Sequence, residues 1–228
     1  MIEKLVTKLR RIGALAEPAR RDLYLYVVAQ AEPVSRDQAA AATGLARHVV
    51  KFHLDRLVEE GLLEVEFRRL SGRRGPGAGR PAKLYRRARQ EISVSLPERR
   101  YELVGRIFAD AIRDNATTGQ PIATAVARAA AAAARRVGDE VRAEAGGGPV
   151  SLAAVLASCG YEPRTEGNQI VLANCPFDAL AQHDRELVCG LNLEFVTAMT
   201  RELGLDDIEV ALDPGADRCC VTLHQLAT

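Results

Sequence analysis

The 228-residue sequence predicts an α+β fold, and three patterns along the chain support this prediction. Apolar residues recur at helical spacing in the first 60 residues, where short polar and glycine-containing turns separate the helices. Apolar and polar residues alternate from 62 to 69, which is typical of a strand with one buried face. An alanine-rich helical region at 98–144 precedes a glycine-rich break and short mixed elements. We therefore expect three regions, 1–92, 93–147 and 148–228.

Two helices joined by a short turn are predicted between residues 35 and 60. Ser35 and Gln38 have the spacing of a capping box, and the dipeptide Thr43-Gly44 provides the turn. The second helix, at 45–60, carries apolar residues on one face and basic residues elsewhere, and a glycine follows it. This is the helix-turn-helix pattern, whose second helix enters the major groove of DNA.

A basic hairpin follows the two helices. A strand at 62–69 and a partner strand at 81–87 flank the glycine-rich segment SGRRGPGAG, which is expected to form the loop of a wing. From Phe67 to Gln90 the chain contains nine basic residues and no acidic residue, and eight of the nine are arginine. Arginine suits bidentate phosphate contacts, so the first region is predicted to be a winged helix-turn-helix.

The charge of the chain is divided unequally. Residues 1–90 carry a net charge of +9 and residues 91–228 a net charge of −8, although the whole chain is only +1. This asymmetry favours a double-stranded DNA partner for the basic part alone. Arg47 is the best candidate for a guanine contact, or it solvates an exposed face. The residues expected to contact DNA are Ser35, Arg36, Ala46, Arg47, His48, Lys51, His53, Arg73, Arg74, Arg80 and Lys83.

Other properties of the sequence restrict the classes of function that it can have. It has no apolar run of about 20 residues and no signal-peptide pattern at its start, so we expect a cytoplasmic protein that does not enter a membrane. A cysteine and a histidine could form a nucleophilic pair, but no glycine-rich oxyanion loop accompanies them. We therefore do not expect an enzyme.

All five cysteines follow Ser158, in the passages NCPFDALAQHDRELVCGLNLEF and DPGADRCCVTL and at Cys159. Pairing of the last strand with the strand before Cys175 would bring three cysteine-bearing segments together, and one member of the final doublet would face the shared site. The candidate metal ligands are Cys175, Cys189, Cys219, Cys220 and His183. Such a set suits a zinc ion or an iron–sulfur cluster. Core packing and a thiol redox switch are the alternatives, and Cys159 is expected to be a core residue.

The segments LAEPARRDLYLYV, ATGLARHVVKFHLDRLVEEGLLEVEFRR and GAGRPAKLYRR resemble winged-helix regulators of the ArsR-like group. The wing sequence GRPAKLY and the cysteine passage resemble SufR-type iron–sulfur cluster regulators. This resemblance implies a homodimer that binds an inverted-repeat operator, usually represses, and dimerises through helices such as the alanine-rich stretch. It also implies a cluster on Cys175, Cys189 and one or both of Cys219 and Cys220, although the 29 residues between Cys189 and Cys219 depart from a compact spacing.

The sequence therefore predicts a DNA-binding transcription regulator whose operator affinity depends on a cysteine-bound iron–sulfur cluster. Two alternatives remain open at this point. One is a winged-helix regulator with a structural zinc or a thiol switch and a small-molecule effector. The other is a cysteine-dependent enzyme fused to a DNA anchor.

Overall fold

The computed structural model describes residues 2–69, 81–146, 148 and 150–226, which form two compact units divided between Val94 and Ser95. Each unit has its own hydrophobic core and its own antiparallel sheet. The predicted α+β class is confirmed, because a helix-turn-helix region is followed by a second unit that contains a β-sheet.

The first unit packs three helices against a small sheet. Its elements are α1 (Ile2–Gly13), a single 3-10 turn (Ala14–Ala16), α2 (Pro18–Val28), β1 (Val34–Ser35), α3 (Arg36–Thr43), α4 (Arg47–Glu59), β2 (Leu63–Arg68) and β3 (Ala82–Arg87). The strands are antiparallel in the order β1-β3-β2, and sequence patterning did not predict the two-residue strand β1. Leu23 of α2, Leu54 of α4 and Tyr85 of β3 are fully buried in the core between these elements.

Local signals explain where these helices begin and end. The Glu17 carboxylate accepts backbone N–H groups at the start of α2, and Pro18 occupies a position whose N–H needs no partner. At α3 the predicted capping box is present, with reciprocal hydrogen bonds between Ser35 and Gln38. Gly44 ends α3 with a φ of +70°, a conformation that side chains other than glycine rarely adopt.

The second unit combines several helices with a four-stranded antiparallel sheet. Its elements are α5 (Tyr101–Thr118), α6 (Ile122–Glu144), α7 (Leu152–Ser158), β4 (Pro163–Glu166), β5 (Gln169–Leu172), α8 (Asp178–His183), α9 (Arg185–Glu202), β6 (Ile208–Leu212) and β7 (Val221–Gln225). The strand order is β4-β5-β7-β6. The last strand therefore lies between the second hairpin strand and β6, with Val171 opposite Thr222.

The alanine-rich helix packs inside its own chain. Ala125, Ala130 and Ala134 of α6 are fully buried, and α6 contacts α5 and α9. Small side chains allow these backbones to approach closely. Region 93–147, predicted as a separate helical linker and dimerisation region, thus shares one core with residues after 148. Its buried alanines contact helices of the same protomer.

Candidate functional site

The exposed side of α4 is the candidate nucleic-acid surface of the first unit. Val50, Leu54 and Leu57 are fully buried and fix the side of α4 that faces the core. We call the exposed surface of α4 the recognition face, and its residues are Arg47, His48, Lys51, Phe52, Arg56 and Glu59. Ala46 precedes the helix without a side-chain cap, which leaves backbone N–H groups of the first turn available to an anion. Helix and side chains together present positive charge to solvent.

Arg47 lies at the edge of the recognition face and forms an ion pair with Asp37 of α3. Both side chains are largely exposed, at 76% and 64% of their possible surface. An exposed pair of this kind contributes about 0–1 kcal/mol. Because a bidentate contact with guanine discriminates by more than this, Arg47 can exchange Asp37 for a base edge at little cost.

Replacing Arg47 by alanine is therefore expected to relax sequence preference. Discrimination at one base pair should fall by about 1–3 kcal/mol, which is the contribution of one good bidentate contact. The measurement compares affinities for an operator selected from random DNA and for its single-base variants. Asp37→Asn is the matched control, because it removes the ion pair and keeps the guanidinium. Equal discrimination by Arg47→Ala and the wild type would exclude a base contact by Arg47.

Lys83, expected to contact DNA, is held against the recognition helix instead. Its Nζ lies 2.5 Å from Asp55 Oδ1, and the Tyr85 hydroxyl donates a hydrogen bond of 2.9 Å to the same oxygen. The ammonium also lies 5.1 Å from the centre of the Tyr85 ring. Burial acts to raise the pKa of Asp55, but the hydrogen bonds from Lys83 and Tyr85 outweigh it and lower the pKa. This network fastens β3 to α4.

Two further predicted DNA contacts have structural roles. His53 is buried, and its Nδ1 lies 3.6 Å from Glu17 Oε2, which fits the scaffold role that was its alternative to a phosphate contact. The Ser35 hydroxyl is engaged in the capping box at the start of α3, whereas Arg36 is exposed. The predicted contacts Arg73, Arg74 and Arg80 lie outside the described residues.

Part of the positive charge on the hairpin strands is neutralised within the unit. Arg68 forms ion pairs of 3.1 Å with Glu32 and 2.8 Å with Glu66. Arg86 forms one of 2.9 Å with Glu64. Exposed basic residues that flank these pairs are Arg69, Arg87 and Arg89. The strands thus contribute fewer free cations than the sequence count indicates.

The arrangement of α2, α3 and α4 corresponds to a known module. Residues 15–66 match the family model of a helix-turn-helix domain. The match begins in the 3-10 turn before α2 and extends into β2, so it includes the recognition face. Such a domain is typical of DNA-binding transcription regulators. Searches of curated proteins and of solved structures found no match to the chain. None of the described helices is long and apolar enough to cross a membrane.

Outside the helix-turn-helix domain, four cysteines of the second unit form two pairs from three segments. Cys175 lies after β5, Cys189 lies in α9, and the doublet Cys219-Cys220 immediately precedes β7. Cys189 and Cys220 form a disulfide with their Cα atoms 6.6 Å apart. The side chains of Cys175 and Cys219 also interact, and this interaction shifts their pKa values in opposite directions. We call these four residues the cysteine centre.

The predicted pairing of the last strand with the strand before Cys175 creates this centre. The backbone N–H of Cys219 donates to the carbonyl of Leu172 with a distance of 2.8 Å, which continues the β5–β7 pairing. As expected, the two members of the doublet do not face one site: Cys219 is paired with Cys175 and Cys220 with Cys189. Adjacent side chains point in different directions, and here each direction leads to another cysteine.

A buried polar pair that sequence reasoning missed supports the Cys219 sulfur. Asn192 Nδ2 donates to Cys219 Sγ with a distance of 3.1 Å, and the Tyr161 hydroxyl donates to Asn192 Oδ1. Asn192 and Tyr161 are only 1% and 2% exposed. Asn192 follows Cys189 by three residues on one helix, and this spacing was the available signal because such residues share a face.

The hydrogen bonds determine where a proton resides in the centre. The Cys175 thiol is the main cause of a lowered pKa at Cys219, and it outweighs the opposing effect of burial. Backbone N–H groups and Asn192 lower it further. The same interaction, together with burial, raises the pKa of Cys175. Cys219 is thus the sulfur best prepared to be a thiolate.

The loop that carries Cys175 is fixed by hydrogen bonds. The side-chain amide of Asn174 donates to the carbonyls of Glu98 and Gly160 at 2.9 and 2.6 Å. Arg99 Nη1 donates to the Cys175 carbonyl at 2.9 Å. These bonds fix the position of the loop that carries Cys175.

The two remaining sulfur and imidazole candidates lie apart from the centre. Cys159 is buried in the core of the second unit, as expected, and burial raises its pKa to about 11. His183 is exposed at the end of α8. The described residues include no group of three or more His, Cys, Asp or Glu that could hold a metal ion.

Proposed function

We propose that this protein is a transcription regulator in which the helix-turn-helix domain binds DNA and the cysteine centre controls the affinity. The pairing of sulfurs in two pairs drawn from three separate segments supports the second half of this proposal. Core packing alone does not require sulfur atoms to contact each other in two pairs. Paired sulfurs can exchange electrons or serve as ligands, and a regulatory centre needs one of these properties.

The donor set suits an iron–sulfur cluster once the disulfide is reduced. Cys175, Cys189, Cys219 and Cys220 would hold it, since four thiolates are the usual ligand set. When bound, such a cluster supplies a centre whose state changes with redox conditions. The N–H groups that surround Cys219 Sγ suit a ligating thiolate, because hydrogen bonds to sulfur stabilise negative charge. Four thiolates also suit a zinc ion, so metal analysis must accompany the test.

We propose further that the regulator acts as a homodimer on an inverted repeat, as its resemblance to SufR-type regulators implies. A two-fold symmetric protein places its two recognition helices on the two half-sites of such an operator. The state of the cysteine centre can change affinity only if it favours one arrangement of these helices over another. Couplings of this kind usually amount to about 1–3 kcal/mol, or about 5- to 150-fold in affinity.

The test is purification without oxygen, followed by visible spectroscopy and assay of iron and sulfide. We expect coloured protein whose DNA affinity changes about 5- to 150-fold when the cluster is removed. Single serine variants of Cys175, Cys189, Cys219 and Cys220 should lose iron and sulfide together. Cys159→Ser is the matched control, because this cysteine shares the core without belonging to the centre, and it should retain the cluster.

The disulfide favours a second candidate, a thiol switch. Oxidation of Cys189 and Cys220 would transfer two electrons to a low-molecular-weight disulfide, which takes up the two thiol protons and leaves as two thiols. If the protein is colourless and binds no iron, and its DNA affinity changes with this oxidation, the centre is a thiol switch and not a cluster site. Colourless protein with stoichiometric zinc and no response to redox state would contradict both.

A further inference from the structure

Phe52 is a large apolar side chain on the exposed surface of α4, where contact with water does not contribute to the stability of the unit. It is 63% exposed on α4, although the same helix buries Val50 and Leu54 completely. At 100° per residue, Phe52 lies about 160° from the centre of the buried side of the helix. Its ring therefore lies near the middle of the recognition face, one turn beyond His48. Sequence patterning named the basic residues of this face and passed over the phenylalanine.

The surroundings of Phe52 are cationic, although two carboxylates lie beside it. His48, Lys51 and Arg56 share an open depression of about 580 Å³ with the ring. Of the carboxylates, Asp55 is paired with Lys83, whereas Arg56 lies 3.2 Å from Glu59 and also 2.6 Å from Glu60, so Lys51 is the main cation beside the ring. The ring is thus an apolar spot in a setting that attracts phosphates, which favours DNA over an apolar protein partner as its occupant.

The major groove offers one large apolar group to such a ring, the C5-methyl group of thymine. We propose that Phe52 contacts a thymine methyl group in each half-site and selects thymine at that position. This inference rests on the proposed DNA-binding function and adds a specificity-determining residue to it. Basic neighbours bind phosphates or guanine edges, whereas Phe52 distinguishes thymine from cytosine by an apolar contact.

The experiment removes the methyl group from the DNA and the ring from the protein. An operator is selected from random DNA with the wild-type chain, and each thymine is then replaced singly by deoxyuridine, which lacks only the C5-methyl group. Wild-type protein should bind about three- to tenfold more weakly when one particular thymine of a half-site is replaced. The Phe52→Ala variant should bind the thymine and deoxyuridine forms equally at that position.

Phe67→Ala is the matched control, because Phe67 is a similarly exposed phenylalanine of the same unit, at 66%, on β2. It should keep the full response to deoxyuridine. The inference fails if the wild type binds its operator tightly and ignores every deoxyuridine, or if Phe52→Ala keeps the wild-type response. Failure of the wild type to select any DNA would instead overturn the proposed function itself. Selected DNA with no preferred thymine opposite the recognition helix would overturn the inference alone.

Discussion

Replacing Arg73, Arg74 and Arg80 together by alanine is expected to weaken binding to every DNA sequence by about a hundredfold at low salt. The expectation depends on charge alone, because these residues lie outside the described part of the chain. Each cation that neutralises a phosphate releases condensed counterions, so the slope of log affinity against log salt should become shallower by about three. Sequence preference should be kept, since phosphates are the same in every sequence.

The control variant loses the same three positive charges from the second unit. Arg135, Arg164 and Arg201 are exposed in the second unit, which belongs to the acidic part of the chain. Their joint replacement by alanine should leave the salt slope at its wild-type value. Titrations of both variants and the wild type on selected and random DNA, at several salt concentrations, give the comparison. An unchanged slope in the Arg73, Arg74 and Arg80 variant would mean that the glycine-rich segment does not contact the backbone of DNA.

Replacing Glu60 by alanine is expected to destabilise the first unit by about 2 kcal/mol. Glu60 follows α4 and is only 3% exposed, and its carboxylate lies 2.6 Å from Arg56 and 3.2 Å from Arg10 of α1. Removing one partner of a buried pair costs about 3–5 kcal/mol, but both arginines are about half exposed and can regain water. The backbone carbonyl of Glu60 still accepts from Arg11 Nε, so α1 keeps one attachment.

Glu59→Ala is the control for this prediction, because the neighbouring carboxylate is 64% exposed and contacts the same arginine at 3.2 Å. Exposed pairs contribute about 0–1 kcal/mol, so its loss should be nearly neutral. Urea unfolding of the full chain, combined with amide hydrogen exchange at residues 47–59, separates this unit from the second one. Equal shifts in the two variants would show that burial of Glu60 has no energetic consequence.

Short-range signals made the helix-turn-helix predictable. The capping box of Ser35 and Gln38 and the left-handed glycine at 44 act over a few residues, and each is present in the structure. The apolar spacing of Val50, Leu54 and Leu57 correctly identified the buried side of α4. The same spacing could not show that Phe52 lies near the centre of the exposed side, because an apolar residue is assigned to the core by default.

Contacts between side chains far apart in the sequence were predicted less well. His53 was assigned either a scaffold role or a phosphate contact, and only the structure shows that it is buried beside Glu17, 36 residues earlier. Lys83 was counted as a free cation, yet it pairs with Asp55 across 28 residues. In both cases the partner lies on another element, and no local pattern indicates which elements will meet.

The sequence by itself determined the two-part charge division, the order of helices and strands, and the segments that bring the cysteines together. These properties depend on composition and on periodicities of two or 3.6 residues, which the chain carries locally. Only the tertiary structure decided that α6 buries its alanines within the protomer and that Cys189 pairs with Cys220. It alone also showed that Asn192 donates to Cys219. The reason is physical, because hydrogen bonds and sulfur contacts depend on distances of a few ångströms between residues far apart in sequence, and packing alone sets them.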